Sequence, residues 1–212
     1  MEKYLIIKKT ISLAVFIVLS ILLGINTTLT PLPVLAKNDR DQNKFDNLIL
    51  KGNYPMSGLA QAVYLQGKYA YVADGSSGLQ IINISNPSSP TFVGNYYSNG
   101  NAWGVRVSGK YAYIANHNGG IQIIDVSNPS SPLLVSTFNT GDLALGIDLQ
   151  GKYAFVADSE KGLQIIDISN PLVPNLIGSY DTTGQSYGVY VSEDEAYIAD
   201  GSSGLEIIGL KR

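Results

Sequence analysis

The chain has 212 residues, 45% of them hydrophobic, with 14 Lys and Arg against 17 Asp and Glu and a formal net charge of −3. The sequence contains no cysteine, which excludes disulfides, cysteine-ligated zinc and thiol catalysis. Its mild acidity argues against a nucleic acid or an anionic membrane as partner, because both attract a basic patch.

The N-terminus has the three-part pattern of a secretory signal. Lysines at the start precede an uncharged apolar run over residues 11–25, and Val34 and Ala36 suit signal-peptidase cleavage after Ala36. A membrane-spanning helix needs about 20 apolar residues, so an uncleaved anchor is the less favoured alternative. Cleavage removes three Lys and one Glu, which changes the net charge from −3 to −5. We therefore predict a signal peptide over residues 1–36, no membrane insertion after cleavage, and a secreted, periplasmic or cell-surface protein.

Residues 37–44 are polar and charged and are interpreted as a linker, after which the sequence repeats every 42 residues. The segment over residues 67–74 recurs at 109–116 and 151–158, and a degraded copy lies at 193–200. A fixed period of this length indicates a repeat architecture. The region from residue 45 to residue 212 has the length of four repeats.

The second repeat predicts four short strands, over residues 102–108, 111–115, 121–126 and 133–138. Each is rich in β-branched and aromatic residues and is bounded by Gly, Asn, Pro or Ser. Gly109 can take the positive φ that a tight hairpin between the first two strands requires. Four short antiparallel strands in about 40 residues are typical of a β-propeller blade.

The last repeat stops after its third strand, whereas residues 48–54 resemble the fourth strands of the first and third repeats. We therefore predict an all-β fold: a β-propeller of four blades with four antiparallel strands each, closed when this N-terminal outer strand pairs with the last blade. An open arc and an eight-bladed ring of two chains are the alternatives. We expect a monomer.

The third strands of the four repeats share a short motif. They read LQIIN, IQIID, LQIID and LEIIG from residues 79, 121, 163 and 205, and the first three lead into Ser-Asn-Pro. These motifs resemble the LVIVD repeat family over residues 45–212. The resemblance implies a β-propeller of secreted or surface-attached prokaryotic proteins. It implies no settled activity, and it supplies no catalytic residues.

Two sets of repeat positions are expected to face the ligand-binding side of such a propeller. The first set ends the second strand of each repeat and consists of Asp74, Asn116, Asp158 and Asp200. Their oxygens suit a hard cation such as Ca²⁺. Recurrence in every repeat instead favours a structural role, in which each side chain caps its own loop. We therefore expect no metal or cofactor, with calcium as the alternative.

The second set differs between repeats. Trp103 and Tyr187 occupy one repeat position, which holds Gln61 and Leu145 in the other repeats. The two aromatic side chains suit stacking on a sugar ring or gripping a partner, and plugging the channel mouth as core residues is an equal alternative. His117 is the sole histidine and lies in a predicted loop. Without a second His or a Cys, it favours neither a zinc site nor a Ser-His-Asp triad.

The sequence contains no recognisable catalytic constellation. We therefore predict a non-enzymatic module that binds an extracellular protein or a glycan on the propeller face. One alternative is a hydrolase or lyase with paired carboxylates such as Asp74 and Asp158, and another is a structural module of a surface assembly. Arg106 and Asp148 share a repeat position in adjacent blades and are predicted to form an inter-blade ion pair.

Overall fold

The computed structural model describes residues 48–211, so the predicted signal peptide, the linker and residues 45–47 lie outside the described residues. In the described part, fifteen strands form four antiparallel sheets, here called blades 1 to 4. The strands of blades 1 and 2 are β1 (Ala62–Gln66), β2 (Tyr69–Ala73), β3 (Leu79–Asn83), β4 (Thr91–Tyr96), β5 (Gly104–Ser108), β6 (Tyr111–Ala115), β7 (Ile121–Asp125) and β8 (Leu133–Phe138). Those of blades 3 and 4 are β9 (Gly146–Gln150), β10 (Tyr153–Ala157), β11 (Leu163–Asp167), β12 (Asn175–Tyr180), β13 (Gly188–Ser192), β14 (Glu195–Ala199) and β15 (Leu205–Gly209).

Each blade is a meander in which consecutive strands pair, so the strand order in blade 1 is β1-β2-β3-β4 and the other blades follow the same order. The four strands predicted for the second repeat are confirmed, with ends that differ by at most two residues. Strand pairing shifts register once between the third and fourth strands of blades 1 to 3, at the same repeat position each time. No helix among residues 48–211 is long and apolar enough to cross a membrane.

The first hairpin of each blade turns on two residues, and the first of them has a positive φ. This residue is Gly67, Gly109 or Gly151 in blades 1 to 3, with φ near 60°. Glu193 takes the same place in blade 4 with φ 54°. A residue with a Cβ is strained in this region of backbone space, whereas glycine is not. Blade 4 therefore carries a strained turn that the other blades avoid.

The hydrophobic core lies between the blades, in three clusters that follow one pattern. In each cluster, the face of one blade packs on the opposite face of the next blade along the chain. We call the face that a blade turns to the next blade its trailing face, and the face that it turns to the previous blade its leading face. At the first junction, the trailing face of blade 1 consists of Tyr71, Ala73, Leu79 and Ile81. The leading face of blade 2 consists of Val105, Val107, Ala112 and Ile114.

The two faces at the ends of this series have no neighbouring blade among residues 48–211. Val63 and Leu65 on the leading face of blade 1 are each 60% exposed, although their repeat equivalents Val105 and Val107 are buried. On the trailing face of blade 4, Leu205 is 65% exposed, whereas its equivalents in the other three blades are fully buried. Both end faces therefore carry the apolar residue types of a blade junction, but these side chains are exposed.

The predicted ring closure by an N-terminal outer strand is not confirmed. Blade 4 has three strands rather than four, and residues 48–61 contain no strand that pairs with β15. Gly52, within the predicted strand, instead lies against Pro87 and Pro90 of blade 1. The segment is therefore held by the first blade, and the outer edge of β15 has no strand beside it in the described part of the chain.

Candidate functional site

One end of the blades is built from two sets of loops, which we call the rim. The 4–1 loops lead into the inner strand of each blade over residues 57–61, 99–103, 141–145 and 183–187. The 2–3 loops follow the second strand over residues 74–78, 116–120, 158–162 and 200–204. Because the first two strands are antiparallel and in register, both loops emerge at the same end.

Backbone bridges join the rim from one blade to the next. Gly75 and Ala102 exchange two hydrogen bonds, with N···O distances of 3.1 and 2.9 Å. The same bridge joins His117 to Ala144 and Ser159 to Ser186 at the next two junctions. The 2–3 loop of each blade is therefore fixed to the 4–1 loop of the following blade.

The recurring acidic positions lie beneath this rim and are fully buried. The carboxylates of Asp74, Asp158 and Asp200 each accept a hydrogen bond from a backbone N–H sixteen residues earlier, in the 4–1 loop of the same blade. The distance is 3.0 Å from Gly58 N to Asp74, 3.2 Å from Asp142 N to Asp158 and 2.7 Å from Gly184 N to Asp200. These contacts give the three carboxylates a structural role, with a partner in the 4–1 loop that the sequence did not indicate. Asp200 also has a side-chain hydrogen bond with Ser203 of its own 2–3 loop. These side chains fasten the neighbouring 4–1 loop because the buried backbone N–H there has no strand partner.

Hydroxyl groups complete the carboxylate contacts in blades 3 and 4. Thr140 Oγ1 donates to Asp158 Oδ1, and Asp200 Oδ1 accepts from Thr182 Oγ1 at 2.7 Å and Ser186 Oγ at 3.0 Å. Burial raises the pKa of Asp158, and its hydrogen bonds oppose this only in part. Burial also acts to raise the pKa of Asp200, but the hydrogen bonds from the hydroxyls of Thr182, Ser186 and Ser203 and from the backbone outweigh it, so that pKa is lowered.

Blade 2 departs from this arrangement. Asn116 replaces the acid, is fully buried, and has no hydrogen-bond partner at either Oδ1 or Nδ2. Ser98 occupies the repeat position of Thr140, and its buried hydroxyl also has no partner. Each of the three carboxylates thus bonds its own 4–1 loop, and Asn116 bonds nothing. No group of three or more His, Asp or Glu side chains within residues 48–211 is arranged to hold a metal ion. The alternative calcium site therefore has no supporting cluster there.

A first cleft opens on the rim beside Trp103. It has a volume of about 380 Å³ and is lined by Ser57, Gly58, Leu59, Gln61, Gly75, Ser76, Asn101 and Trp103. Trp103 is 37% exposed and stacks on His117, with ring centroids 6.1 Å apart and an interplanar angle of 21°. His117 has φ 52°, where blades 1 and 4 have glycine. The structure therefore brings together two of the predicted symmetry-breaking residues at this Trp103 cleft.

A second cleft opens beside Tyr187. It has a volume of about 640 Å³ and is lined by Glu160, Thr182, Thr183, Gly184, Gln185, Tyr187, Gly201 and Ser202. Tyr187 is 49% exposed, and its hydroxyl donates to Gln185 Oε1 at 2.9 Å. Neither Trp103 nor Tyr187 is a buried plug, so the core alternative for these two side chains is wrong.

The two clefts occupy equivalent places in blades 1 and 4. Six lining positions of the Trp103 cleft, from Ser57 to Ser76, correspond to six of the Tyr187 cleft at a distance of three repeats. In blade 3 the aromatic position holds Leu145, which is buried. The rim therefore has a common design, and the two clefts described here lie on the terminal blades.

A polar chain crosses the inner strands below the rim. Arg106 Nε donates to Asp148 Oδ1 at 2.9 Å, which confirms the predicted inter-blade ion pair. The guanidinium lies 5.9 Å from the ring centroid of Tyr64 on blade 1, and Asp148 Oδ2 accepts from the Val191 N–H of blade 4 at 2.9 Å. These contacts link all four inner strands and leave the pair with a structural role.

Comparison with known proteins identifies the repeat. The LVIVD repeat matches four times, at residues 57–98, 99–140, 143–182 and 183–209. The chain belongs to the LVIVD repeat family. No curated protein matches the sequence significantly.

The fold of this LVIVD repeat protein is similar to that of three solved structures. The computationally designed Ika4 protein has a TM-score of 0.63 at 5% identity, over 78% of this chain and 99% of that chain. The computationally designed Ika8 protein gives 0.59 at 4% identity over 71% and 46%, and U3-55K gives 0.60 at 9% identity over 73% and 50%. The chain therefore spans about half the length of the last two. At these identities the likeness shows the fold alone.

Several cleft residues of this LVIVD repeat protein were not predicted. Thr183 and Gln185 line the Tyr187 cleft, and Ser57 and Asn101 line the Trp103 cleft. Their repeat positions vary in residue type between blades, which is the same signal that pointed to Trp103. The signal is weak for small polar residues because such variation is also common in solvated loops.

Proposed function

We propose that this protein is a non-enzymatic binding module, secreted or surface-associated, that holds a neutral glycan on its rim. The observation that carries the proposal is the combination of an exposed aromatic ring and polar side chains in each of two equivalent clefts. An aromatic face covers the apolar C–H face of a sugar, while amides and hydroxyls bond the sugar hydroxyls. The alternative ligand, an extracellular protein, is distinguished from a glycan by the test below.

The charge of the Trp103 cleft favours a neutral ligand. None of its eight lining residues is charged, and its polar groups come from Ser57, Ser76, Gln61 and Asn101. A phosphate or sulfate ligand requires cationic side chains or a cluster of free backbone N–H groups. The Tyr187 cleft contains one carboxylate, Glu160, and no cation. Both clefts therefore suit hydroxyl-rich, uncharged groups better than anions.

Preorganisation supports the same site. Trp103 is held by its stack on His117, and the His117 backbone is itself fixed by the bridge to Ala144. A ring that is already immobile loses little side-chain entropy when a ligand covers it. Two clefts on one rim also suit a repetitive ligand, because linked sites raise the effective affinity for a polymer.

The carboxylate-dependent hydrolase or lyase has less support. Asp74 and Asp158 belong to different blades, are fully buried and line neither cleft. Each is bonded to a 4–1 loop, so neither is directed at a substrate. Release of new reducing ends from a glycan incubated with the protein would contradict the binding-module proposal.

The test is a glycan array probed with the purified protein, followed by titration calorimetry on the glycans that bind. We expect Trp103→Ala to reduce affinity at least tenfold, and Tyr187→Ala to reduce it for longer oligomers. The matched control is Tyr97→Ala, because Tyr97 is also an exposed aromatic residue but lines neither of these clefts. If the array is blank, or if the Trp103 and Tyr97 variants bind equally, the glycan site is wrong; capture of a protein ligand through Trp103 would favour the protein option instead.

Export is a separate part of the proposal. It rests on the sequence of residues 1–36, which lies outside the described residues. Mass spectrometry of the protein from the extracellular or envelope fraction is expected to give an N-terminus at Lys37. Recovery of the chain only from the cytoplasm, with residues 1–36 intact, would contradict export.

A further inference from the structure

The two end faces of the blade series carry the residues of a blade junction. Leu205 and Ile207 on the trailing face of blade 4 are repeat equivalents of Leu79 and Ile81, which pack against the next blade. Val63 on the leading face of blade 1 is likewise an equivalent of a junction residue. Each of these three end-face side chains is more than half exposed, whereas the junction side chains are buried. The chain therefore presents the two halves of a fourth junction on opposite ends.

The N-terminal segment already sits where an outer strand of a preceding blade belongs. Gly94, on the outer strand β4, lies so close to Pro129 O of the next blade that a Cβ does not fit. Gly52 lies equally close to Pro87 O of blade 1, one repeat earlier in both partners. Residues 50–54 therefore occupy the position of a fourth strand, and no first three strands of that blade precede them among the described residues.

Blade 4, at the other end of the series, has space for such an outer strand. An apolar cavity of about 590 Å³ opens between blade 3 and the C-terminal end of β15, with Ile165, Ile177, Ile208 and Leu210 in its lining. Gly178 is the repeat equivalent of Gly52 and Gly94, and it has no proline loop of a following blade against it. Among residues 48–211, blade 4 thus has no outer strand, while residues 50–54 lie in the position of one beside blade 1.

We propose that two copies of this chain join head to tail and close a ring of eight blades. In this ring, the trailing face of blade 4 packs on the leading face of blade 1 of the second copy. Residues 50–54 of the second copy lie along β15 and complete blade 4. A second copy is favoured over closure within one chain because, in the described part of the chain, residues 50–54 do not pair with β15, although both end faces carry complementary surfaces.

The existing junctions define the contacts expected at the new one. Backbone bridges join the three internal junctions, but among the described residues none joins Gly201 to Ala60, which is the fourth pair in the repeat. The ring supplies that bridge and removes the exposed sheet edge of β15.

The second copy also completes a binding cleft. In the Trp103 cleft of blade 1, Asn101 and Trp103 are contributed by the following blade. Their repeat equivalents at the new junction are Leu59 and Gln61 of the second copy, which then flank the Tyr187 cleft. The proposal does not depend on glycan binding, since the packing alone carries it.

The test measures the mass of the full-length chain by light scattering during gel filtration. We expect twice the mass of one chain, which is 22.7 kDa when residues 1–36 are retained. Leu205→Glu places a charge on the trailing face of blade 4 in both copies, and Val63→Glu places one on the leading face of blade 1 in both copies. Each variant alone is therefore expected to be monomeric. Leu172→Glu is the matched control, because Leu172 is similarly exposed but lies on a loop of blade 3, and this variant is expected to remain dimeric.

Mixing Leu205→Glu with Val63→Glu distinguishes the head-to-tail arrangement from arrangements in which like faces meet. One copy then offers an intact leading face and the other an intact trailing face, so an open heterodimer is expected to re-form. A monomeric wild-type protein would overturn the proposal and favour closure within one chain. Wild-type dimers that survive both blocking variants, or species larger than two copies, would overturn it as well. Circular dichroism establishes that each variant is folded, and recovery of the heterodimer gives the same information independently.

Discussion

Asp200 is expected to stabilise blade 4 more than Asn116 stabilises blade 2, although both occupy the same buried repeat position. Asp200 accepts hydrogen bonds from Gly184 N–H, Thr182 and Ser186, whereas Asn116 has no partner for its side chain. In Asp200→Ala the backbone N–H and at least one hydroxyl are left buried without an acceptor.

The magnitude follows from these lost contacts. A hydrogen bond to a charged group contributes about 1.5–3 kcal/mol, and the Thr182 and Ser186 hydroxyls can still bond each other at 2.9 Å. We therefore expect Asp200→Ala to lower the free energy of unfolding by about 3 kcal/mol. For a domain of this size, that corresponds to a fall in Tm of about 6–12 °C. Asn116→Ala is expected to cost less than about 1 kcal/mol, because it breaks no hydrogen bond.

The assay is urea and thermal unfolding followed by circular dichroism at pH 7 and at pH 3. The pKa of Asp200 is lowered in the folded state, so its contribution is complete above its unfolded pKa and is lost as the pH falls through the folded value. The difference between wild type and Asp200→Ala is therefore expected to shrink at pH 3. Equal destabilisation by the two alanine variants, or a difference independent of pH, would refute this role of the carboxylate.

Two further changes test the scaffold. Glu193→Gly relieves a positive φ of 54° and is expected to raise the free energy of unfolding by up to about 1 kcal/mol, measured by urea unfolding; a loss of stability would show that the turn is not strained. Asp148→Ala leaves Arg106 and the Val191 N–H without their acceptor and is expected to cost about 2 kcal/mol, less than a fully buried pair because water reaches the guanidinium. Lys110→Ala, which breaks a mostly exposed ion pair, is its control and is expected to cost under about 1 kcal/mol; equal losses would contradict the structural role of the inter-blade pair.

The repeat made most of the fold predictable. Strand positions follow from alternation and turn residues, which are local, so the strands of blade 2 were predicted within two residues. Ring closure is different, because it depends on the angle at which successive blades pack and on contacts between distant ends. A period of 42 residues contains no information on that angle, and the predicted pairing of residues 48–54 with the last blade was not found.

The candidate site was predictable in part. Variation at a fixed repeat position singled out Trp103, Tyr187 and His117, and two of these three stack on each other. The partner of the recurring acids was missed because any backbone N–H can donate, and nothing in the sequence distinguishes Gly58 from the acid's own loop. Side-chain identity therefore indicated which positions matter, while the partners required coordinates.

The chain contains one tryptophan, so its fluorescence reports on Trp103 alone. The most direct test of a glycan site on the rim is a titration of the protein with neutral oligosaccharides that bind on the array, followed through tryptophan emission. A saturable change in emission, with the same Kd as calorimetry gives, is the predicted result. Binding detected by calorimetry without any change in Trp103 emission would contradict the assignment of this cleft.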